Sequence, residues 1–269
     1  MDDIPPCKRQ REQEIEKNER PRRNRVPVLR KSHSLHDLVP LIAASSSMPM
    51  VIVDAEAMMI MSLHSHLCSD EVIGWMAGII DPNCIHIQKA FPVKALAHEN
   101  GRINVEMDVE NALTVRTEIE EIGLKIVGWY HSHPTFEVTP SLMDIDNQIN
   151  YQNISTEYFL GGIISPYMST HKLEGLFTIF HVKKNQEEHK RNGYHPAYSI
   201  KFNVKSSEIS QKCVDFAVAL VNDYKGHKKF VLPSKKWKKG LTIIQKISKA
   251  LEYFGLTTEQ ISQIYNVLI

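Results

Sequence analysis

Cysteine is scarce in this chain: four residues in 269, with no two spaced as a C-x-x-C pair. Cys7, Cys68, Cys84 and Cys213 are scattered singly, which excludes a thiolate metal knuckle and a disulfide framework and suits a reducing compartment. Long hydrophobic runs are missing too; no uninterrupted apolar stretch approaches the ~20 residues needed to cross a bilayer. The N-terminus is charged and has no leader-like apolar run. The expected setting is therefore nuclear or cytoplasmic, with no membrane contact. The net charge is only +1, so no whole-chain field selects a partner. There is no internal repeat and no long low-complexity segment.

What is present is an ordinary globular mixture, 42% apolar and 23% charged, enough for one core plus extensions. Residues 1–47 read as a basic, disordered tail. Beyond the charges they carry Pro5, Pro6, Pro21 and Pro27, and they end in Ser45-Ser46-Ser47. Such a segment cannot bury enough apolar surface to offset its ordering entropy, although Leu35 to Ala44 is apolar enough to dock on a folded neighbour. A second basic stretch, Lys225 to Lys239, holds seven lysines and no acid. Both stretches are open to nucleic acid contact; the plainer alternatives are a solvated surface or a nuclear-import signal.

Between them, pattern and punctuation predict alternating strands and helices. Met50 to Val53 reads as a strand, Ala55 to Leu67 as a helix, and Glu71 to Ile80 and Cys84 to Pro92 as a hairpin around Asp81-Pro82-Asn83. Val105 to Ile122 has helical periodicity and stops at Gly123. Lys125 to Tyr130 is a short strand, Ser141 to Asn153 a helix, and Phe159 to Ser165 and Leu173 to Val182 two further strands. Beyond Asn192 three helical stretches follow: Ser206 to Tyr224, Leu241 to Phe254 and Thr257 to Leu268. The expected class is α/β, a mixed sheet flanked by helices, with a domain over residues 48–190 and a C-terminal helical extension over 191–269.

The tripeptide His-Ser-His occurs twice, at His64-Ser65-His66 and His131-Ser132-His133. On a helix, residues two apart point about 200° apart around the axis, so the first pair cannot easily share one ion. The second pair leaves a strand, where residues two apart project from the same face and both imidazoles can reach one cation. Asp144, on the first turn of the next helix, is the natural third ligand. Two imidazoles, a carboxylate and a water make a catalytic zinc site with an open position. Ser141-x-x-Asp144 is equally the pattern of a helix capping box. A serine at that helix start can also donate to an oxyanion. Glu71, at the edge of an apolar run, is either an exposed strand-end glutamate or a paired, ligating or catalytic one.

Glu71-Val72-Ile73-Gly74, His131-Ser132-His133-Pro134 and Ser141-Leu142-Met143-Asp144 together resemble the JAMM motif of MPN-domain metalloproteases. Val127-Gly128-Trp129-Tyr130, Gln148 and Ser165-Pro166-Tyr167 match the motif's surroundings. The likeness covers about residues 48–185 and is strongest to the branch that holds the Myb-like, SWIRM and MPN domain histone deubiquitinase and the MPN domain-containing protein. No Myb-like or SWIRM segment is visible here. The resemblance implies an MPN (JAMM) fold and one catalytic Zn2+ bound by His131, His133 and Asp144. It further implies Glu71 as general base and acid, and Ser141 as oxyanion stabiliser. The implied reaction is hydrolysis of the isopeptide bond between the ubiquitin C-terminus and a substrate lysine, with histone or other chromatin proteins as a substrate class. Family insertions that help to hold ubiquitin correspond to Val93 to Asp108 and Ile145 to Phe159. The second is short and lacks cysteine, which argues against a second zinc and for weak intrinsic activity or an activating partner. The alternative is a binding or scaffold module with little catalysis. A cysteine deubiquitinase finds no activated thiol in the sequence.

Overall fold

The computed structural model describes residues 42–43, 48–96, 105–155, 158–183 and 195–269. These lie in one compact unit, Ser34–Ile269. Apart from 42–43, the expectations for the tail concern residues outside this set.

The described strands are β1 (Ile42–Ala43), β2 (Met50–Asp54), β3 (Ile73–Asp81), β4 (Cys84–Val93), β5 (Lys125–Ser132), β6 (Leu160–Ser165), β7 (Leu176–Val182), β8 (Ala197–Ile200) and β9 (Phe202–Lys205). The described helices are α1 (Ala55–Leu67), α2 (Val109–Glu121), α3 (Leu142–Ile154), α4 (Gln211–Lys225), α5 (Ile243–Tyr253) and α6 (Thr258–Leu268). The strands form one mixed sheet in the order β1-β8-β7-β6-β5-β3-β4-β2-β9. The α/β class with flanking helices holds.

Two strands, β8 and β9, were not expected from the pattern beyond Asn192. β8 pairs with β7, and β9 runs parallel to β2 at the far edge, so the sheet takes its last strands from the segment read as purely helical. The exposed, polar side of β9 conceals the alternation that marks a half-buried strand.

Helices cover both faces. α1 is buried nearly all round, its polar Ser62, His64, Ser65 and His66 included. It shares a core with α4, α5, α6 and with Met76, Tyr130 and Leu160 of the sheet. On the other face Val115 and Ile119 of α2 and Ile145 of α3 pack with Ile73, Trp129 and Ile163. α2 ends where Gly123 takes φ +76° and donates to the Glu120 carbonyl, a left-handed stop that glycine adopts without cost.

β5 lies at the centre, antiparallel to β3 and parallel to β6. A side chain at Gly128 would place its Cβ 2.4 Å from the Leu160 carbonyl oxygen, so only glycine lets β5 and β6 approach there. Alternation along β5 turns Trp129 and His131 towards the α2–α3 face and Tyr130 towards α1. The chain then leaves β5 at Ser132 and returns through α3 to β6, which sets the next residues at the carboxyl end of a central strand.

Candidate metal centre

His131, next to last in β5, is in register with Ile73 of β3 and Ile163 of β6, and His133 continues the line by donating its backbone N–H to the Ile164 carbonyl at 2.8 Å. Both imidazoles are buried on the same side. Their Nε2 atoms stand 3.1 Å apart. Asp144 enters from the first turn of α3, with Oδ1 3.2 Å from His131 Nε2 and Oδ2 3.5 Å from His133 Nε2. The three donors lie within 4.8 Å of one another.

The donor chemistry fits a cation. His133 Nδ1 donates to the Glu137 carbonyl at 2.6 Å, which leaves Nε2 with a lone pair aimed at His131. With His131 Nε2 and the Asp144 carboxylate turned to the same point, the three groups can hold a cation between them. Rings hold the ligands in place: His131 stacks on Trp129 with centroids 4.7 Å apart, and His133 on Phe136 at 4.4 Å. Trp129 Nε1 in turn donates to Gln148 Oε1 at 2.6 Å, tying the His131 stack to α3.

Burial alone would raise the Asp144 carboxyl; the charges and hydrogen bonds of His131 and His133 more than reverse this and hold it well below the usual range. Burial lowers His131, against the pull of Asp144. Both directions leave the neutral imidazole and the anionic carboxylate that a divalent ion requires.

Ser141 is both cap and neighbour. Its Oγ accepts from the Asp144 N–H at 3.2 Å and donates to Asp144 Oδ2 at 2.8 Å, while its own N–H donates to the same oxygen at 2.7 Å. The capping box is formed, and it aims the carboxylate at the histidines.

Glu71 is 6% exposed, just before β3 rather than within it. A clasp puts it beside the histidines: the Val72 N–H donates to Ser132 Oγ, and the Ser132 N–H to the Val72 carbonyl, each at 2.9 Å. Burial, then the charges of Asp144 and Asp70, push the Glu71 carboxyl well above its ordinary value. The structure thus gathers all five residues singled out in the sequence. Sequence reasoning missed Ser132, the Glu137 carbonyl and Phe136, which act through backbone bonds or ring contact and carry no spacing signal. A cleft of about 760 Å³ opens beside Glu71, bounded by Lys94 and Leu96 on one side and by Tyr224 and Lys228 on the other.

The first His-Ser-His is a different object. On α1 His64 and His66 are fully buried and point apart, as helix geometry requires. His64 bonds the Tyr130 and Tyr224 hydroxyls at 2.8 and 2.6 Å, and His66 meets Lys246 Nζ at 2.8 Å. The described cysteines, Cys68, Cys84 and Cys213, are free, and burial pushes the Cys68 and Cys213 thiols up to about 11 and 12, away from nucleophilic use.

Comparison with known proteins adds a family. Residues 46–157 match the model described as JAB1/Mov34/MPN/PAD-1 ubiquitin protease. The histone deubiquitinase MYSM1 of Branchiostoma floridae is 32% identical over 162 residues, covering 56% of this chain and 20% of that protein. The MPN domain-containing protein of Danio rerio is 30% identical over 260 residues, 88% of this chain and 55% of the relative. The deubiquitinase MYSM1 of Mus musculus is 36% identical over 126 residues, 45% of this chain and 15% of that protein. The chain thus spans about half the length of the fish relative and a fifth or less of the others.

Proposed function

We propose, on the premise that residues 46–157 form an MPN/JAMM-family domain, that this protein is a zinc-dependent isopeptidase that hydrolyses the bond between the ubiquitin C-terminus and a substrate lysine. The observation that supports it most is the convergence of His131, His133 and Asp144 beside a buried, proton-hungry Glu71. Ubiquitin is the choice because the named activity of the relatives is deubiquitination. Histone or other chromatin proteins as substrates, and a nuclear site of action, follow by the same likeness.

A zinc ion held by the three ligands would supply a Lewis acid for the scissile carbonyl and acidify a water. The chain's own residues do the rest. Glu71, desolvated and next to carboxylates, has the proton affinity to take a proton from the attacking water and return it to the departing lysine amine. With Asp144 neutralised by a cation, the remaining upward influences on Glu71 are burial and Asp70. Ser141 stands at the start of α3, where the helix end favours negative charge. Its hydroxyl can turn from Asp144 Oδ2 to a developing oxyanion while its N–H keeps the carboxylate in place.

The test is Glu71→Gln. Bound zinc stays at one equivalent, while cleavage of a ubiquitin–lysine isopeptide falls by about 10²-fold or more. Normal turnover in that variant would refute the general-base role.

A further inference from the structure

We infer that the lysine-rich segment Lys225–Lys239 is a phosphate-binding surface fitted to the backbone of a nucleic acid that lies beside the ubiquitinated substrate. The position relative to the cleft rests on the proposed isopeptidase site; the charge and rigidity of the segment do not.

The seven lysines are not a loose tail. The segment leaves α4 and is sewn to the core at both ends. The Ser69 N–H donates to the Lys229 carbonyl at 2.9 Å, the Val231 N–H donates to the Leu67 carbonyl at 2.9 Å, and Cys68 bridges Phe230. Farther on, the Trp237 N–H donates to the Leu241 carbonyl at 2.7 Å, the Ile243 N–H to the Lys235 carbonyl at 2.9 Å, and Lys236 bridges Thr242. An import signal must be presented as a free, extended peptide, and this loop is closed on itself.

Those attachments place it against both flanks of the centre. Ser69 precedes Glu71 by two residues, and Lys228 and Lys229 line the cleft that Glu71 lines. At the other end, Lys238 Nζ donates to the Met168 carbonyl at 3.3 Å and Trp237 packs on Tyr167, with centroids 6.5 Å apart. The Tyr167 N–H donates to the carbonyl of Pro134, the residue after His133.

Charge decides the partner. Asp70 and Asp223 also line the cleft and offset Lys228 and Lys229 there. The unbalanced charge is carried outside it by Lys225, Lys235, Lys236 and Lys238, all exposed. These are exposed ammonium point charges without a directional fork, which suits them to the sequence-independent neutralisation of a densely charged polyanion such as a phosphate backbone.

The experiment uses the full, zinc-loaded chain and a fluorescent mixed-sequence DNA duplex of about 20 base pairs, titrated by anisotropy over a salt series. The parent is expected to bind, with affinity falling steeply with salt. Lys225→Glu/Lys235→Glu/Lys236→Glu is expected to bind at least tenfold more weakly, with a log–log salt slope shallower by about 3. The corresponding triple Lys→Gln variant, which keeps the stems, should fall between the two, and its melting curve verifies the fold. Unchanged affinity and slope in both variants would overturn the inference by placing binding elsewhere, as in residues 1–47. Polyglutamate binding the parent as tightly as the duplex would also overturn it, in favour of an acidic protein. The same preparations are assayed on a ubiquitin–lysine isopeptide. Cleavage without duplex binding removes only this inference; loop-dependent binding without cleavage upholds it and removes the isopeptidase reading.

Discussion

Ser132 shows how a site is positioned by a residue with no direct part in its chemistry. Its hydroxyl is the acceptor for the buried Val72 N–H, and that bond joins the end of β5 to the segment bearing Glu71. Ser132→Ala leaves a buried donor unsatisfied, a cost of about 1–3 kcal/mol. The expected outcome is a lower thermal midpoint and a reduced kcat with zinc content unchanged; an unaltered kcat would show that the clasp does not position Glu71. Ser141→Ala separates two roles at one atom. Loss of the cap should cost about 1 kcal/mol, and loss of the oxyanion donor should lower kcat by about 10²–10³-fold. Zinc should remain, because the Ser141 backbone N–H still holds Asp144. At this scale the sequence was informative where strand and helix periods govern: the paired histidines and the Ser141–Asp144 box follow from geometry. Glu71 did not, because sixty residues of chain separate it from the clasp that brings it home. Only the family likeness tied it to the site.

The helices beyond residue 210 belong to the same core as Tyr130 of β5, the strand that carries His131, and the first His-Ser-His is their attachment. His64 links Tyr130, on the strand that carries His131, to Tyr224 of α4, and His66 receives Lys246 of α5. Periodicity revealed that this pair could not share a metal. It could not reveal the partners, which lie 66 to 180 residues away. Burial holds the His64 ring down at about 3, against an ordinary 6.5. The unfolded chain therefore binds the extra proton between those values, and stability falls as pH drops through that window. Burial, opposed by Glu174, lowers Lys246 to about 7 from 10.5. Here too the unfolded chain holds more protons, so stability rises with pH from about 7 towards 10. Lys246→Met should flatten that rise by up to about 1.4 kcal/mol per pH unit, seen as a parent-minus-variant difference that grows between pH 7 and 9 in denaturant melts. A constant difference would mean the lysine does not titrate in the fold.

At the scale of the described molecule, a mixed sheet covered on both faces presents a buried donor cluster at the end of its central strand. The class of fold was legible in the alternation of strands and helices from Met50 to Val182. The strands β8 and β9 were not, since their short, partly exposed sequences take their conformation from neighbours distant in the chain. At this scale the zinc and cysteine mechanisms part. The described cysteines are free, and burial raises Cys68 and Cys213, so alkylation should leave cleavage intact. The most direct measurement is hydrolysis of a ubiquitin–lysine isopeptide by the purified chain before chelation, after chelation and after Zn2+ is restored, with bound metal counted at each stage. The expected result is activity that disappears with the metal and returns with one equivalent of zinc. Cleavage that survives complete removal of the metal, or that is lost on chelation and does not return with one equivalent of zinc, would contradict it.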